Sequence, residues 1–120
     1  MSYDLAFWRQ ERRLRDSPDD LFVRLCEDED VEGLTVLPLD RIKQRFAEEF
    51  PGIEDSGPEL TWQTDEGAIQ VSWTPNPTKH IQVCFHGCSG DEVDRVVRIA
   101  HEFGCPVYDP QSGDTYAPGS

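Results

Sequence analysis

Residues 80–109, HIQVCFHGCSGDEVDRVVRIAHEFGCPVYD, specify their local structure more clearly than any other stretch of the chain. Ile81, Val83 and Phe85 alternate with polar residues, which is the period of a strand that buries one face. Gly87 interrupts this extended run. The first part of the stretch is therefore predicted to be a strand with one face in the core.

A helix is predicted after this strand. Ser89 and Glu92 have the spacing of a capping box, in which a hydroxyl and a carboxylate satisfy the free backbone amides of a helix start. Apolar residues then recur at helical spacing at Val93, Val96, Val97, Ala100 and Phe103. Gly104, with a proline two residues later, is a typical helix stop. We expect a final strand around Val107 and Tyr108, which gives the order strand, helix, strand.

The rest of the chain supplies elements that pack around this unit. Residues 3–8 are apolar on both faces of an extended chain, which is typical of a strand in the middle of a sheet. Ser17 followed by Pro18 predicts a helix start, and apolar residues at spacings of three and four predict a second helix over residues 38–50. An antiparallel meander is predicted over residues 60–64, 68–74 and 79–86.

These elements predict one α+β domain over residues 1–120, in the order β-α-α-β-β-β-α-β. About five strands form a mainly antiparallel sheet, with the helices packed mostly on one face. The apolar face of the meander carries Leu60, Trp62, Ile69, Val71, Trp73, Ile81, Val83 and Phe85. The other face is polar and expected to be wet, with Thr61, Gln63, Gln70, Ser72, Thr74, Gln82, Cys84 and His86.

The charge of the chain limits the partners that it can bind. Its 120 residues include 24 acids and 11 lysines and arginines, which gives a formal net charge of −13. Such a surface repels phosphate groups, because binding them requires cations that replace the counterions. We therefore expect neither nucleic acid nor a membrane surface as a partner, and a basic protein surface fits better.

The acids are concentrated in the middle of the chain. Residues 16–66 contain sixteen acids against four bases. A solvated, solubilising face is the plainest interpretation of such a block. The alternative is that part of the block binds a partner, for which the candidates are Glu27, Asp28, Glu29, Asp30, Glu32, Glu48, Glu49, Glu54, Asp55 and Glu59.

The four cysteines, Cys26, Cys84, Cys88 and Cys105, are expected to be reduced thiols. No apolar run follows a basic one near the N-terminus, so no secretory signal is indicated. No stretch has the roughly 18 apolar residues that span a bilayer. We expect a cytoplasmic protein.

Zinc binding is the most specific chemical function to consider, because a tetrahedral site needs four such ligands. Two imidazoles and two thiols are supplied by His80, Cys84, His86 and Cys88. His80, Cys84 and His86 share one face of the strand, yet His80 and His86 lie about 20 Å apart at the usual strand rise. We therefore expect no metal site and no cofactor. A nucleophilic cysteine would need a base and an orienting group that the sequence does not place.

No phosphate-binding, hydrolase or metalloprotease motif is found in the sequence, so no catalytic residue is assigned and no enzymatic activity is expected. One alternative keeps the polar sheet face as the site of a small metal- or thiol-dependent sensor or enzyme. Its candidate residues are Gln70, Ser72, Gln82, Cys84 and His86. A second alternative is a homodimeric adaptor that pairs through an exposed edge strand.

The segments MSYDLAFWR and CPVYDPQSGDTY, near the two ends of the chain, resemble small bacterial immunity proteins of polymorphic toxin systems. The resemblance implies a cytoplasmic protein without enzymatic activity that binds and neutralises one cognate toxin domain. It transfers no binding residues, since the toxin-facing surface differs between immunity proteins. An acidic inhibitor is suited to a toxin with a basic active-site cleft. We expect a monomer or a weak homodimer.

Overall fold

A computed structural model describes residues 2–27, 29–74 and 77–116. The strands are β1 (Ser2–Phe7), β2 (Glu54–Asp55), β3 (Glu59–Gln63), β4 (Ala68–Trp73), β5 (Ile81–His86), β6 (Val107–Asp109) and β7 (Asp114–Tyr116). The helices are α1 (Pro18–Cys26), α2 (Leu39–Glu49) and α3 (Gly90–Glu102). The predicted α+β class and the order of the larger elements are confirmed.

The strands form one antiparallel sheet in the order β2-β3-β4-β5-β1-β6-β7. β1 lies between β5 and β6, as its two apolar faces predicted. The meander of β3, β4 and β5 is also confirmed. The sheet has seven strands rather than the predicted five, because the short strands β2 and β7 add one edge each.

One face of the sheet is covered by α2 and α3. The core beneath them includes, from the strands, Leu5, Phe7, Leu60, Ile69, Val71, Ile81, Val83, Phe85 and Val107. The helices contribute Ile42, Phe46, Val96, Ile99 and Ala100, and Phe50 follows the last residue of α2. Trp62 and Trp73 are half-buried and pack against this core. The apolar face predicted from alternation is therefore the face that the helices cover.

The third helix, α1, packs on the opposite face. Ser17 caps it, since its Oγ accepts from the backbone amide of Asp20 at 3.2 Å. A second cluster of buried side chains joins α1 to β1 and β6, with Ala6, Trp8, Leu21, Leu25, Val31, Leu34 and Tyr108. Two helices thus lie on one face and one on the other, which agrees with helices mostly on one face.

The predicted capping box at the start of α3 is present. The backbone amide of Ser89 donates to Glu92 Oε2 at 3.0 Å, and the Ser89 hydroxyl holds the Glu92 pKa below its usual value. Gly104 follows α3 with a φ of +72°, a left-handed conformation that glycine adopts most readily. Within the described ranges, no helix combines the length and the apolar character that crossing a membrane requires.

Candidate functional site

The face of the sheet opposite α2 and α3 is only partly covered. Strand pairing places Thr61 opposite Gln70, Gln70 opposite Cys84, and Cys84 opposite Asp4, in one row across the sheet. Because side chains alternate along each strand, the polar side chains share one surface, called here the open face. Its residues are Asp4, Glu54, Glu59, Thr61, Gln63, Gln70, Ser72, Gln82, Cys84 and His86.

All five polar-face candidates from the sequence lie on this open face. Gln70, Ser72 and His86 are exposed, whereas Gln82 and Cys84 are half-buried. Strand alternation was sufficient to group them, because their separation in β4 and β5 is always an even number of residues.

The open face is electronegative. It carries the carboxylates of Asp4, Glu54 and Glu59, and none of its ten residues defined above is lysine or arginine. Asp4 was not among the sequence candidates. The available signal was that Asp4 is the one charged side chain in a strand that is otherwise apolar or aromatic after Ser2.

The surroundings of Cys84 favour the protonated thiol over the nucleophilic thiolate. Its Sγ donates to Asp4 Oδ1 at 2.6 Å. Burial, followed by this hydrogen bond and the Asp4 charge, raises the pKa of the Cys84 thiol to about 11. The thiol is therefore protonated at neutral pH, and the attacking species in cysteine chemistry is the thiolate.

Two other thiols are also shifted toward the protonated form. Burial raises the pKa of Cys105 to about 12. Burial and the Glu92 charge raise the pKa of Cys88, whose Sγ lies 3.4 Å from the carbonyl oxygen of Ala68. Cys26 is exposed, and its Sγ lies 3.6 Å from Gln82 Oε1.

Reaction with Ellman's reagent at pH 8 should therefore show one fast cysteine, Cys26. With a Cys84 pKa of about 11, roughly one Cys84 thiol in a thousand is ionised at that pH. We expect its reaction to be about 100-fold slower than that of an ordinary exposed thiol. Stopped-flow absorbance measures the phases, and Cys26→Ser should remove the fast one. A fast phase that disappears in Cys84→Ser instead would contradict this assignment.

The acidic candidates after α1 lie beside the open face. The last residue of α1, Cys26, lines a pocket of about 180 Å³ together with Ser72 and Gln82 of the open face. Glu27 follows directly and is exposed, as are Glu29, Asp30 and Glu32. Asp28, which belongs to the same predicted group, lies outside the described residues.

The candidates on α2 are placed elsewhere. Glu48 and Glu49 lie in the helical layer that covers the other face. Arg45 pairs with both, at 2.9 Å and 3.1 Å, and with Glu102 of α3 at 2.6 Å. The Glu102 hydrogen bond is the largest cause of a raised Arg45 pKa. These two carboxylates are therefore ion-paired, sharing one guanidinium with Glu102, and they are separated from the open face.

The candidates in β2 and β3 divide between the two faces. Asp55 pairs with Leu60 in the sheet, so it points to the helical side, where Lys43 Nζ lies 3.2 Å from its carboxylate. The backbone amide of Gly57 and then Lys43 lower the Asp55 pKa. Glu54 and Glu59 belong to the open face.

Ion pairing further separates the acids near the open face. Glu29 is held by Arg24, and Asp30 by Lys79 at 2.7 Å. Within residues 2–27, 29–74 and 77–116, four of the candidates have no cation at ion-pair distance, namely Glu27, Glu32, Glu54 and Glu59. The predicted acidic block therefore divides into two groups. The group beside the open face includes the four unpaired carboxylates, and the group on the helical side is ion-paired to Arg45 and Lys43.

The structure differs from the predicted polar face at His80 and Thr74, which are buried. His80 was predicted to share a strand face with Cys84 and His86, the face expected to be wet, but it is only 4% exposed. Trp8 and Phe22 lie against its ring, with centroids at 6.2 Å and 6.3 Å, because α1 covers this end of the sheet. Thr74, also expected to be wet, is buried as well.

In the part of the chain that the structure describes, no three His, Cys, Asp or Glu side chains are arranged to hold a metal ion.

A scan of protein-family models gives no match to the chain, and a search of curated proteins gives no significant match. The structure itself places the protein in the α+β class. Two helices cover one face of its antiparallel sheet, and the other face presents a polar, acidic surface.

Proposed function

We propose that this protein is an immunity-type inhibitor that neutralises a bacterial toxin domain by binding a basic cleft against its open face. The observation that carries this function is the set of unpaired carboxylates at Glu27, Glu54 and Glu59 around a surface without lysine or arginine. The sequence resemblance at the two ends of the chain supports the same class.

Charge complementarity explains what such a surface achieves. Carboxylates that have no internal cation are available to a cation on a partner, whereas Glu48 and Glu49 are already bound to Arg45. Complementary charge raises the rate of encounter and disfavours wrong partners. The neutral side chains between the acids, such as Gln70 and Ser72, can donate and accept hydrogen bonds that fix orientation.

Two alternatives receive less support from the same surface. A thiol-dependent sensor or enzyme is disfavoured because Cys84 has its pKa raised to about 11. A homodimer through edge pairing is disfavoured because the edge strands, β2 and β7, have two and three residues and offer few backbone hydrogen bonds. The proposed inhibitor acts in the cytoplasm as a monomer or weak homodimer, with no metal or cofactor and no nucleic acid or membrane as its partner.

Reversing the unpaired acids should slow association with the toxin domain. The variant Glu27→Lys/Glu54→Lys/Glu59→Lys is expected to bind 10- to 100-fold more slowly at low salt, because electrostatic steering is lost. The matched control, Glu48→Lys/Asp65→Lys/Glu66→Lys, has the same change in net charge on other surfaces. It should change the rate by less than about threefold. Biolayer interferometry at two salt concentrations measures both.

The probe for this measurement is the C-terminal domain of the protein encoded immediately upstream. Co-expression should protect cells from that domain, and a tagged copy of this chain should recover it. Absence of both protection and recovery would refute the immunity function. Binding with an association rate and salt dependence unchanged by the triple reversal would keep the function but remove the open face as its site.

A further inference from the structure

A second surface lies on the other side of the sheet, where α3 leaves β1 and β7 partly uncovered. A cavity of about 340 Å³ is lined by Tyr3, Leu5, Val93, Asp94, Val97 and Tyr116. A second cavity of about 270 Å³ shares Tyr3 and Val93 with it and extends toward the start of α3. The two form one apolar depression, called here the α3–β7 groove.

The groove has a fixed aromatic floor. The Tyr3 ring lies against Phe85, with centroids 6.1 Å apart, and the Tyr3 hydroxyl donates to Asp109 Oδ2. His101 Nε2 lies 3.1 Å from the backbone oxygen of Tyr116, which ties α3 to β7. Tyr116 remains 44% exposed. A preformed apolar surface of this kind can bind a side chain with little ordering cost.

The rim of the groove is acidic. Asp94 lines the cavity and is exposed. Asp114 precedes Tyr116 by two residues, so both point to the same side of β7. A further carboxylate lies at the groove floor, because Asp109 Oδ2 accepts the hydrogen bond from the Tyr3 hydroxyl. Burial and this hydrogen bond raise the Tyr3 pKa.

α3 carries two arginines, Arg95 and Arg98, which differ in their ion pairing. Arg95 contacts α2, because its Nη1 donates to Glu49 O at 3.2 Å, and its Nη2 pairs with Asp91 of α3 itself at 2.8 Å. Arg98 lies one helical turn after Asp94, without an ion pair in the described part of the chain. The three strands that border the groove, β1, β6 and β7, contain no lysine or arginine.

We propose that the α3–β7 groove binds a basic segment of a partner protein, with one large apolar side chain in the groove and a lysine or arginine beside it facing Asp94 and Asp114. Other occupants fit the chemistry less well. Residues 117–120, Ala-Pro-Gly-Ser, contain no large apolar side chain, and a second copy of this chain would bring another charge of −13. This surface lies on the opposite face of the sheet from the open face, so it does not depend on the inhibitor function proposed above.

Three synthetic octapeptides and the full chain test this site. The first peptide has a central leucine flanked by arginines, the second replaces the arginines by glutamates, and the third replaces the leucine by serine. Titration followed by ¹⁵N NMR should show saturable amide shifts at Tyr3, Val93, Val97 and Tyr116 with the first peptide. We expect at least fivefold weaker binding of the serine peptide and no measurable binding of the glutamate peptide.

Charge reversal completes the experiment. Asp94→Lys/Asp114→Lys should weaken the arginine–leucine peptide at least tenfold, whereas the control Asp65→Lys/Glu66→Lys, on the turn between β3 and β4, should leave its affinity unchanged within about twofold. Shifts confined to the open face, or equal affinity for the leucine and serine peptides, would overturn the proposal. Sedimentation showing a dimer that Asp94→Lys/Asp114→Lys abolishes would assign the groove to self-association and also overturn it.

Discussion

Phe50→Ala is expected to lower the free energy of unfolding by about 3–5 kcal/mol, since truncating a buried phenylalanine removes its transfer free energy and leaves a cavity. Phe50 is fully buried directly after α2. Its ring lies 6.2 Å from that of Phe46 and 5.1 Å from that of Trp62, while the Arg95 guanidinium lies 5.8 Å from its centroid. One side chain therefore joins α2, α3 and the sheet.

A loss of this size is a large share of the stability of a domain, which is typically about 5–15 kcal/mol. Urea unfolding followed by circular dichroism measures it, with an unchanged slope as the sign that the unfolded state is the same. Val23→Ala is the matched control, because Val23 is 48% exposed on α1 and its truncation should change stability by less than about 0.5 kcal/mol. A cost below about 1 kcal/mol for Phe50→Ala would show that α2 does not pack on the sheet in this way.

The parts of the fold that the sequence predicts are those whose signals are local. Three of these signals depend on residues a few positions apart: the two apolar faces of β1, the alternation in the meander, and the capping box of Ser89 and Glu92. The spacing of apolar residues in α2 is equally local, and its buried face contains Ile42 and Phe46. These elements agree with their predicted bounds to within about two residues, the usual uncertainty of element ends.

The two strands that were missed have no such signal. β2 has two residues, Glu54 and Asp55, and both are exposed. β7 has three, and all of them are exposed. A short strand forms because a neighbouring strand offers unpaired backbone groups at the sheet edge, and that edge exists only after the sheet has assembled. Local alternation of apolar residues could not reveal either one.

The acidic candidates illustrate the same limit at the site. Composition identified the block but not its ion pairs, some of which are local and others distant in sequence. Arg45 pairs with Glu48 and Glu49, three and four positions later on α2, at the spacing of helix neighbours. Arg45 binds Glu102, 57 positions later in the chain. Lys79 binds Asp30, 49 positions earlier. Helical spacing could therefore have separated Glu48 from Glu54 and Glu59, whereas the pairing of Asp30 is a property of the tertiary structure.

His80 is expected to make the protein less stable as the pH falls from about 6.5 to about 4. Its side chain is only 4% exposed, and its Nε2 has no hydrogen-bond partner in the described part of the chain. Burial lowers the His80 pKa to about 4. The Tyr108 ring also lies against Trp8 and Phe22, but its hydroxyl donates to Asp19 at 2.9 Å and gives His80 no compensating charge.

The sign follows from proton binding. In the unfolded chain a histidine has a pKa near 6.5, so it takes up a proton as the pH falls below that value. The folded state takes up this proton only near pH 4, the lowered pKa of His80. Between these values the unfolded state binds more protons, so the free energy of unfolding rises with pH there and falls on acidification. The full effect is about 3 kcal/mol, at about 1.4 kcal/mol for each pKa unit.

Other groups titrate over the same range, and protonating carboxylates relieves repulsion in a chain with a net charge of −13. The measurement is therefore a difference: urea unfolding at several pH values from 8 to 4 for the natural chain, His80→Leu and His86→Gln. His80→Leu should lose the acid-dependent destabilisation relative to the natural chain. His86→Gln should keep it, because His86 is exposed on the open face. Parallel stability curves for the natural chain and His80→Leu would mean that His80 is solvated or charged in the folded protein, and that α1 does not seal this end of the sheet.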